Sequence, residues 1–296
     1  MALRELKGTY TALVSPFDKS NAIDLKALKK LINFQVANGV SGIVVCGSTG
    51  ESATLSLREK QLLIQKAVEY ASGRISVIAG TGSNETQSAI ALSKFAFEHG
   101  ADAVLLVAPY YNKPTQRALI EHFGIIAKEV PIPQIIYNIP SRTGINILPD
   151  TLLKIAENKN VIGVKESSGN LEQMMQIIKN APPHFTLLSG DDILTLPIIS
   201  IGGKGVVSVI SNYLPKEFSQ LVASALDGNY KIALKIHFDL IELMQLNFIE
   251  SNPTPTKYIL SILGYIEEVC RMPLLPIEIG NRKKITTALK KAKIIS

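Results

Sequence analysis

Cysteine is scarce: the chain of 296 residues has two, Cys46 and Cys270, far apart and without metal-ligand spacing. No disulfide framework is implied, and Cys46, inside an apolar run, is expected as a buried thiol within a strand. The four histidines, His99, His122, His184 and His237, form no HExxH or related pattern. They are expected at the surface or at helix ends, so no metal centre is expected. No uninterrupted apolar run approaches membrane-spanning length, and the N-terminal Met-Ala-Leu-Arg-Glu-Leu-Lys carries charge where a signal peptide needs an apolar core. No membrane partner and a cytoplasmic location are therefore expected. No complete GxGxxG follows an apolar run, and Gly202-Gly203-Lys204-Gly205 is not a Walker A, because neither serine nor threonine follows Lys204. Those glycines suit close packing or backbone approach to a small ligand. Low-complexity tracts are absent as well.

What is present describes a globular protein of enzyme size: 46% of residues are hydrophobic and 19% charged, enough to bury a large core. The net charge of +6 raises the question of nucleic acid. Much of the excess sits in Arg282-Lys283-Lys284 and Lys290-Lys291-Ala292-Lys293, without aromatic interleaving or a binding motif. That is the wet face of a last helix, and no nucleic-acid partner is expected.

Apolar runs with strand character occur at Tyr10–Val14, Gly42–Cys46, Ser76–Ala79, Ala103–Val107, Gln134–Tyr137, Val161–Lys165, Thr186–Leu188 and Gly205–Val209. Between them lie segments with apolar residues at helical spacing, including Leu25–Ala37, Leu57–Ala71, Thr86–Glu98, Arg117–Lys128 and Leu171–Lys179. Eight strands alternating with helices, none showing clean polar alternation, predict a parallel sheet closed as a (β/α)₈ TIM barrel; an open doubly wound sheet is the alternative. After Val209 the pattern is helical only, over Leu214–Leu226, Tyr230–Phe248, Thr256–Leu263 and Lys283–Ala292. The expected organisation is a barrel over residues 1–225 carrying the active site, with a C-terminal helical domain over 226–296 docked on it.

In such a barrel the chemistry collects where strands end. Val161 to Ser168 drives an apolar strand into Lys165 and then opens into small polar residues. Desolvation of an ammonium there disfavours its charged form, leaving an amine able to condense with a carbonyl as a Schiff base; a lysine ending a strand can equally snorkel to water. Other runs end in Gly47-Ser48-Thr49-Gly50-Glu51, Gly80-Thr81-Gly82-Ser83-Asn84, Pro109-Tyr110-Tyr111-Asn112, Tyr137-Asn138-Ile139-Pro140-Ser141-Arg142 and Ser189-Gly190-Asp191-Asp192. The first offers backbone N–H groups and hydroxyls as a cradle for a carboxylate, or a plain glycine turn.

Taken jointly and in order, Gly47–Glu51, Tyr110-Tyr111, Tyr137–Gly144, Gly163-Val164-Lys165-Glu166 and Ser189-Gly190-Asp191 resemble the dihydrodipicolinate synthase family of pyruvate-dependent class I aldolases. The resemblance implies a barrel with a C-terminal helical domain, a homotetramer arranged as a dimer of dimers, and no cofactor. It also implies condensation of pyruvate with L-aspartate 4-semialdehyde to 4-hydroxy-tetrahydrodipicolinate, the entry to lysine and diaminopimelate synthesis. Lys165 would form the Schiff base and Tyr137 would pass protons. Ser48 and Tyr111 would complete a hydroxyl relay, Tyr111 reaching in from a neighbouring subunit. The Ser48 and Thr49 backbone would hold the pyruvate carboxylate, with Gly190 and Val207 lining its pocket. Arg142 would clamp the aldehyde's carboxylate at a partly desolvated position. Gly-Ser-Thr-Gly-Glu also fits N-acetylneuraminate lyases and keto-deoxy sugar acid aldolases, whereas Ser141-Arg142-Thr143-Gly144 favours the synthase.

The same resemblance places an allosteric lysine site at Ser52, Ala53, Leu57, Lys60, Asn84, Ser88 and Tyr110. Leu57 and Lys60 stand where histidines commonly sit, and Ser88 where a glutamate would pair with the effector's ammonium. A degenerate site is expected, with weak or absent inhibition by L-lysine unless a displaced carboxylate such as Glu85 substitutes.

Overall fold

A computed structural model describes residues 5–296, so Met1 to Arg4 of the charged N-terminal stretch lie outside the described residues. Eight parallel strands close into a barrel: β1 (Gly8–Ala12), β2 (Gly42–Val45), β3 (Ser76–Gly80), β4 (Ala103–Val107), β5 (Gln134–Asn138), β6 (Val161–Glu166), β7 (Thr186–Ser189) and β8 (Gly205–Ser208), with β8 returning to pair with β1. The helices around it are α1 (Leu25–Ala37), α2 (Leu57–Ala71), α3 (Thr86–Glu98), α4 (Gln116–Glu129), α5 (Pro140–Thr143), α6 (Pro149–Ile155), α7 (Leu171–Asn180) and α8 (Thr195–Ser200). Four more follow: α9 (Pro215–Leu226), α10 (Tyr230–Leu246), α11 (Thr254–Ile262) and α12 (Ile279–Lys291). Among the described residues no helix is long and apolar enough to cross a membrane.

The absence of polar alternation in the strands has a direct cause. Successive side chains point to opposite faces, and both faces here are covered. One phase, including Tyr10, Val44, Ile78, Leu105, Ile135, Tyr137, Leu188 and Val207, packs inside the barrel. The other, including Ile43, Val77, Val104, Ile136, Val164 and Leu187, packs against the apolar stripes of the helices. Helix starts follow local capping chemistry: Asp24 accepts from the Ala27 N–H at 2.9 Å, and Ser56 with Glu59 forms a reciprocal capping box at the head of α2.

Differences from the expected elements have local reasons. β1 lies two positions earlier than its apolar run suggests. Gly8 pairs alongside Gly205, and after Ala12 the chain leaves the ladder, with the Val14 N–H donating instead to Asn212 Oδ1 at 3.1 Å. β8 stops at Ser208, because the Val209 N–H donates to the Asp192 carboxylate at 3.1 Å. Cys46 is buried as expected but lies just past β2, at a left-handed turn with φ 56°. Helices α5, α6 and α8 are one or two turns long, too short to show a period; the first two begin on a proline, whose missing N–H costs nothing there. Helices α11 and α12 begin earlier than expected, at Thr254 and Ile279, and α10 ends at Leu246. His122 and His237 are buried rather than superficial, and desolvation lowers the pKa of both, that of His122 to about 4.

Candidate active site

Lys165 is the penultimate residue of β6 and shares the inward phase with Leu188 and Tyr137, its cross-strand partners. It is buried, and its Nζ lies 4.1 Å from the centroid of the Tyr137 ring. The next residue, Glu166, points outward and is fully buried; its carboxylate accepts from Asn138 Nδ2 at 2.9 Å, from the Ser168 N–H at 2.6 Å and from Gln173 Nε2 at 3.3 Å. Those three bonds lock the strand end and so fix the direction in which Lys165 leaves it. Gly190 closes in from β7: a Cβ there would stand 1.9 Å from Ser167 Oγ and 3.0 Å from Lys165 Cε. Only glycine lets the neighbouring strand end approach this closely.

The loop after β2 supplies the second wall. The Glu51 and Ser52 N–H groups are taken by the Ser48 and Gly47 carbonyls, at 3.0 and 3.2 Å. The Ser48 and Thr49 N–H groups make no hydrogen bond among the described residues and are available to an anion. Beside the loop opens a cavity of about 330 Å³ whose lining includes Ser48, Tyr110, Tyr137 and Arg142. Lys165 itself is not in the lining. It meets the cavity through the Tyr137 ring against which its amine rests.

The structure brings together Ser48, Tyr137 and Arg142 on this cavity, with Lys165 against Tyr137. Thr49 is buried and its hydroxyl accepts from Asn252 Nδ2 at 2.9 Å, so its backbone rather than its side chain is what it offers. Val207 faces the barrel interior. Arg142 is exposed, not desolvated as expected; one of its N–H groups donates to the Asn252 carbonyl at 3.3 Å. Tyr111 is not brought to the mouth of its own chain: it is 89% exposed, in a turn with positive φ at itself and at Lys113. Of the regulatory positions, Ser52, Ala53, Lys60 and Tyr110 line the same cavity, whereas Leu57, Asn84 and Ser88 do not. Leu57 and Ser88 are exposed, and the Glu85 carboxylate is occupied in capping α3, accepting from Gln87 N–H at 2.8 Å and Ser88 N–H at 2.6 Å.

Three residues that were not among the expected site residues also bear on the loop. Lys257 forms a fully buried ion pair with Glu51, Arg271 donates its backbone N–H to Glu51 at 2.9 Å, and Asn252 holds Thr49. The available signal was a lysine inside the apolar pattern of α11. Cys46, by contrast, is no candidate nucleophile, since burial pushes its thiol up to about 12. Asp192 is buried behind the end of β8, where desolvation raises its pKa to about 6 against the pull of the Val209 and Ile210 N–H groups.

Residues 5–292 match the model of the Dihydrodipicolinate synthetase family. The 4-hydroxy-tetrahydrodipicolinate synthase of Syntrophus aciditrophicus is 49% identical over 284 residues, spanning 96% of this chain and 97% of that protein. Among solved structures, dihydrodipicolinate synthase from Aquifex aeolicus superposes with a TM-score of 0.96 at 46% identity, covering 97% of this chain and 98% of that one. The DHDPS of Cyanidioschyzon merolae with lysine bound superposes with a TM-score of 0.95 at 39% identity, covering 98% of this chain and 99% of that one.

Proposed function

The chain belongs to the dihydrodipicolinate synthetase family, and we propose that it condenses pyruvate with L-aspartate 4-semialdehyde, releasing water and 4-hydroxy-tetrahydrodipicolinate at the entry to lysine and diaminopimelate synthesis. The observation that carries this reading is Lys165: a buried amine at a strand end, resting on Tyr137 beside a cavity rimmed by Ser48 and Arg142.

The chemistry follows from those placements. The Lys165 amine attacks the keto carbon of pyruvate, and the carbinolamine loses water as its hydroxyl takes a proton from the Tyr137 relay. The resulting iminium is the electron sink that lets the methyl carbon give up a proton, so no cofactor is needed. The enamine then attacks the aldehyde carbon, whose oxygen takes a proton and remains as the 4-hydroxyl. Attack by the second substrate's own amine on the iminium carbon closes the ring and frees Lys165. The Ser48 and Thr49 N–H groups hold the pyruvate carboxylate, with Gly190 and Val207 lining its pocket. Arg142 keeps donors free beyond its bond to Asn252 and takes the aldehyde's carboxylate. Ser48 supplies one hydroxyl of the relay. Tyr111 supplies another from a second copy, for which its exposure suits it, within a cytoplasmic homotetramer built as a dimer of dimers. The positions of the family's lysine site form a degenerate version here, and L-lysine inhibits weakly or not at all.

The test is reductive trapping. Incubation with pyruvate and borohydride is expected to add one pyruvyl group at Lys165 by mass spectrometry, and Lys165→Ala to lose it while still folding. An adduct at another residue, or none, overturns the reading. With pyruvate held constant, aspartate semialdehyde is expected to be the preferred partner; efficient cleavage of N-acetylneuraminate in its place would assign the chain to a sister aldolase.

A further inference from the structure

Glu51 closes the loop that presents Ser48 and Thr49, and it does so in a left-handed conformation, φ 53°, that a residue with a side chain adopts only when its surroundings hold it there. The hold comes from the far end of the chain. The Glu51 carboxylate pairs with Lys257 on α11, both side chains having no solvent exposure, and accepts the Arg271 N–H at 2.9 Å. Lys257 is itself fixed from two further sides, donating to the Val269 carbonyl at 2.8 Å and standing 4.1 Å from the centroid of the Phe17 ring. The Arg271 guanidinium covers the same ring at 4.2 Å. Beside this, Asn252 donates to Thr49 Oγ1 at 2.9 Å. Thr49 and Glu51 are thus tied to α11 and the segments flanking it by directional polar contacts.

A pair buried this completely is a poor adhesive. Its desolvation offsets most of its attraction, and apolar residues of similar volume would hold α11 against the loop at least as firmly. What apolar packing cannot do is impose direction. A carboxylate met by an ammonium on one side and an N–H on another has one orientation, and that orientation carries the Glu51 backbone and the turn before it.

We infer that Glu51 and Lys257 are positioning residues: their ion pair sets the loop in the conformation that aims the Ser48 and Thr49 N–H groups at the keto-acid carboxylate, so α11 supports the pyruvate site. This rests on the function proposed above. It predicts a defect confined to the keto acid. The Michaelis constant for pyruvate rises when the pair is removed, while that for the aldehyde, bound at Arg142, stays put.

The informative variant is the double substitution Glu51→Gln with Lys257→Met, which leaves no unpaired buried charge. Its companion Glu51→Asp keeps the charge but shortens its reach. For the double variant the KM for pyruvate is expected to rise at least tenfold, with the KM for aspartate semialdehyde within threefold of wild type and slower borohydride trapping at Lys165. Glu51→Asp is expected to shift the same constant in the same direction, and less. If the double variant does not fold, Glu51→Asp decides alone. A lowered melting temperature with wild-type KM for pyruvate in whichever variant folds would overturn the inference, because a merely structural tie would do that. Failure of the wild-type enzyme to trap pyruvate would instead overturn the proposed function.

Discussion

Ser167 and Gly190 share a space that holds one side chain. Ser167 continues the inward phase two residues beyond Lys165, and its buried hydroxyl finds no partner among the described residues. Ser167→Ala removes an unpaired buried group, so thermal unfolding is expected at the wild-type temperature or above it. Gly190→Ala drives a methyl group to 1.9 Å from that hydroxyl and 3.0 Å from Lys165 Cε. Overpacking of this kind costs about 1 to 3 kcal/mol, and here it displaces the lysine as well. Trapping with pyruvate should fall sharply in Gly190→Ala and recover only partly when Ser167→Ala is added, since the contact with Lys165 remains. Full activity in Gly190→Ala would mean that the strand ends are more pliant than this packing indicates. Arg142 presents the opposite situation. It is exposed, and deleting it gives up within the chain only the 3.3 Å bond to the Asn252 carbonyl. Loss of a charge-assisted contact of about 1.5 to 3 kcal/mol then sets the expected effect of Arg142→Ala at roughly a ten- to hundredfold drop in kcat/KM for the aldehyde. The pyruvate adduct should still form. An unchanged aldehyde constant would remove Arg142 from the site.

At the scale of elements, helix α2 is held at its head by charge. Arg271 donates to both oxygens of Glu59, at 3.0 and 2.5 Å, and this contact, reinforced by Ser56, holds the Glu59 carboxyl down at about 2. A carboxyl lowered in the folded state stabilises it at pH values above its ordinary 4.5, and that stabilisation drains away as pH falls toward 2. Asp192 has the opposite sign: with its folded pKa raised from 3.8 to about 6, its contribution favours the fold at low pH and is lost as pH rises through that interval. Melting temperatures measured from pH 5 down to pH 3 should therefore fall more steeply for wild type than for Arg271→Met, in which Glu59 loses its principal partner. Parallel slopes would show that the pair is not felt in stability. The elements were legible where local chemistry defines their ends. Helices α1, α2 and α3 begin beside Asp24, Ser56 and Glu85 and have the bounds their periodicity predicts. Strand ends were less so, because β1 and β8 are trimmed by side chains from elsewhere, Asn212 and Asp192, that no local window contains.

Across the whole molecule the same division holds for the site. Lys165, Tyr137, Ser48 and Arg142 could be picked out because each lies at or just after the end of a strand run, and closure of a barrel gathers strand ends. The Glu51–Lys257 pair could not, because only the docking of α11 joins its two halves. Tyr111 was legible as a residue, and its place in a site depends on a second copy, since it is 89% exposed on its own chain. Regulation is decided at this scale, and the proposed insensitivity to L-lysine can be argued from what surrounds the family's effector positions. Ser52, Ala53, Lys60 and Tyr110 line the cavity, so Lys60 brings a cation to the wall an effector with two ammonium groups would meet. Leu57 is apolar and 58% exposed, offering nothing to a charge. At Ser88 the anion is gone, and Glu85 is no ready substitute, because the Ser88 side chain and then the Gln87 and Ser88 N–H groups already hold its carboxylate and lower its pKa. Each missing charge-assisted contact is worth about 1.5 to 3 kcal/mol, so the absent anion and the added cation together are expected to weaken lysine at least tenfold. Titrating L-lysine against the initial rate should give no half-inhibition below about a millimolar, the range that separates tight from weak binding by affinity arithmetic. Restoring the anion with Ser88→Glu, together with Lys60→His, should move inhibition down by tenfold or more. Half-inhibition of the unmodified enzyme well under a millimolar would show that Lys60 turns to solvent and another acceptor takes the effector's ammonium.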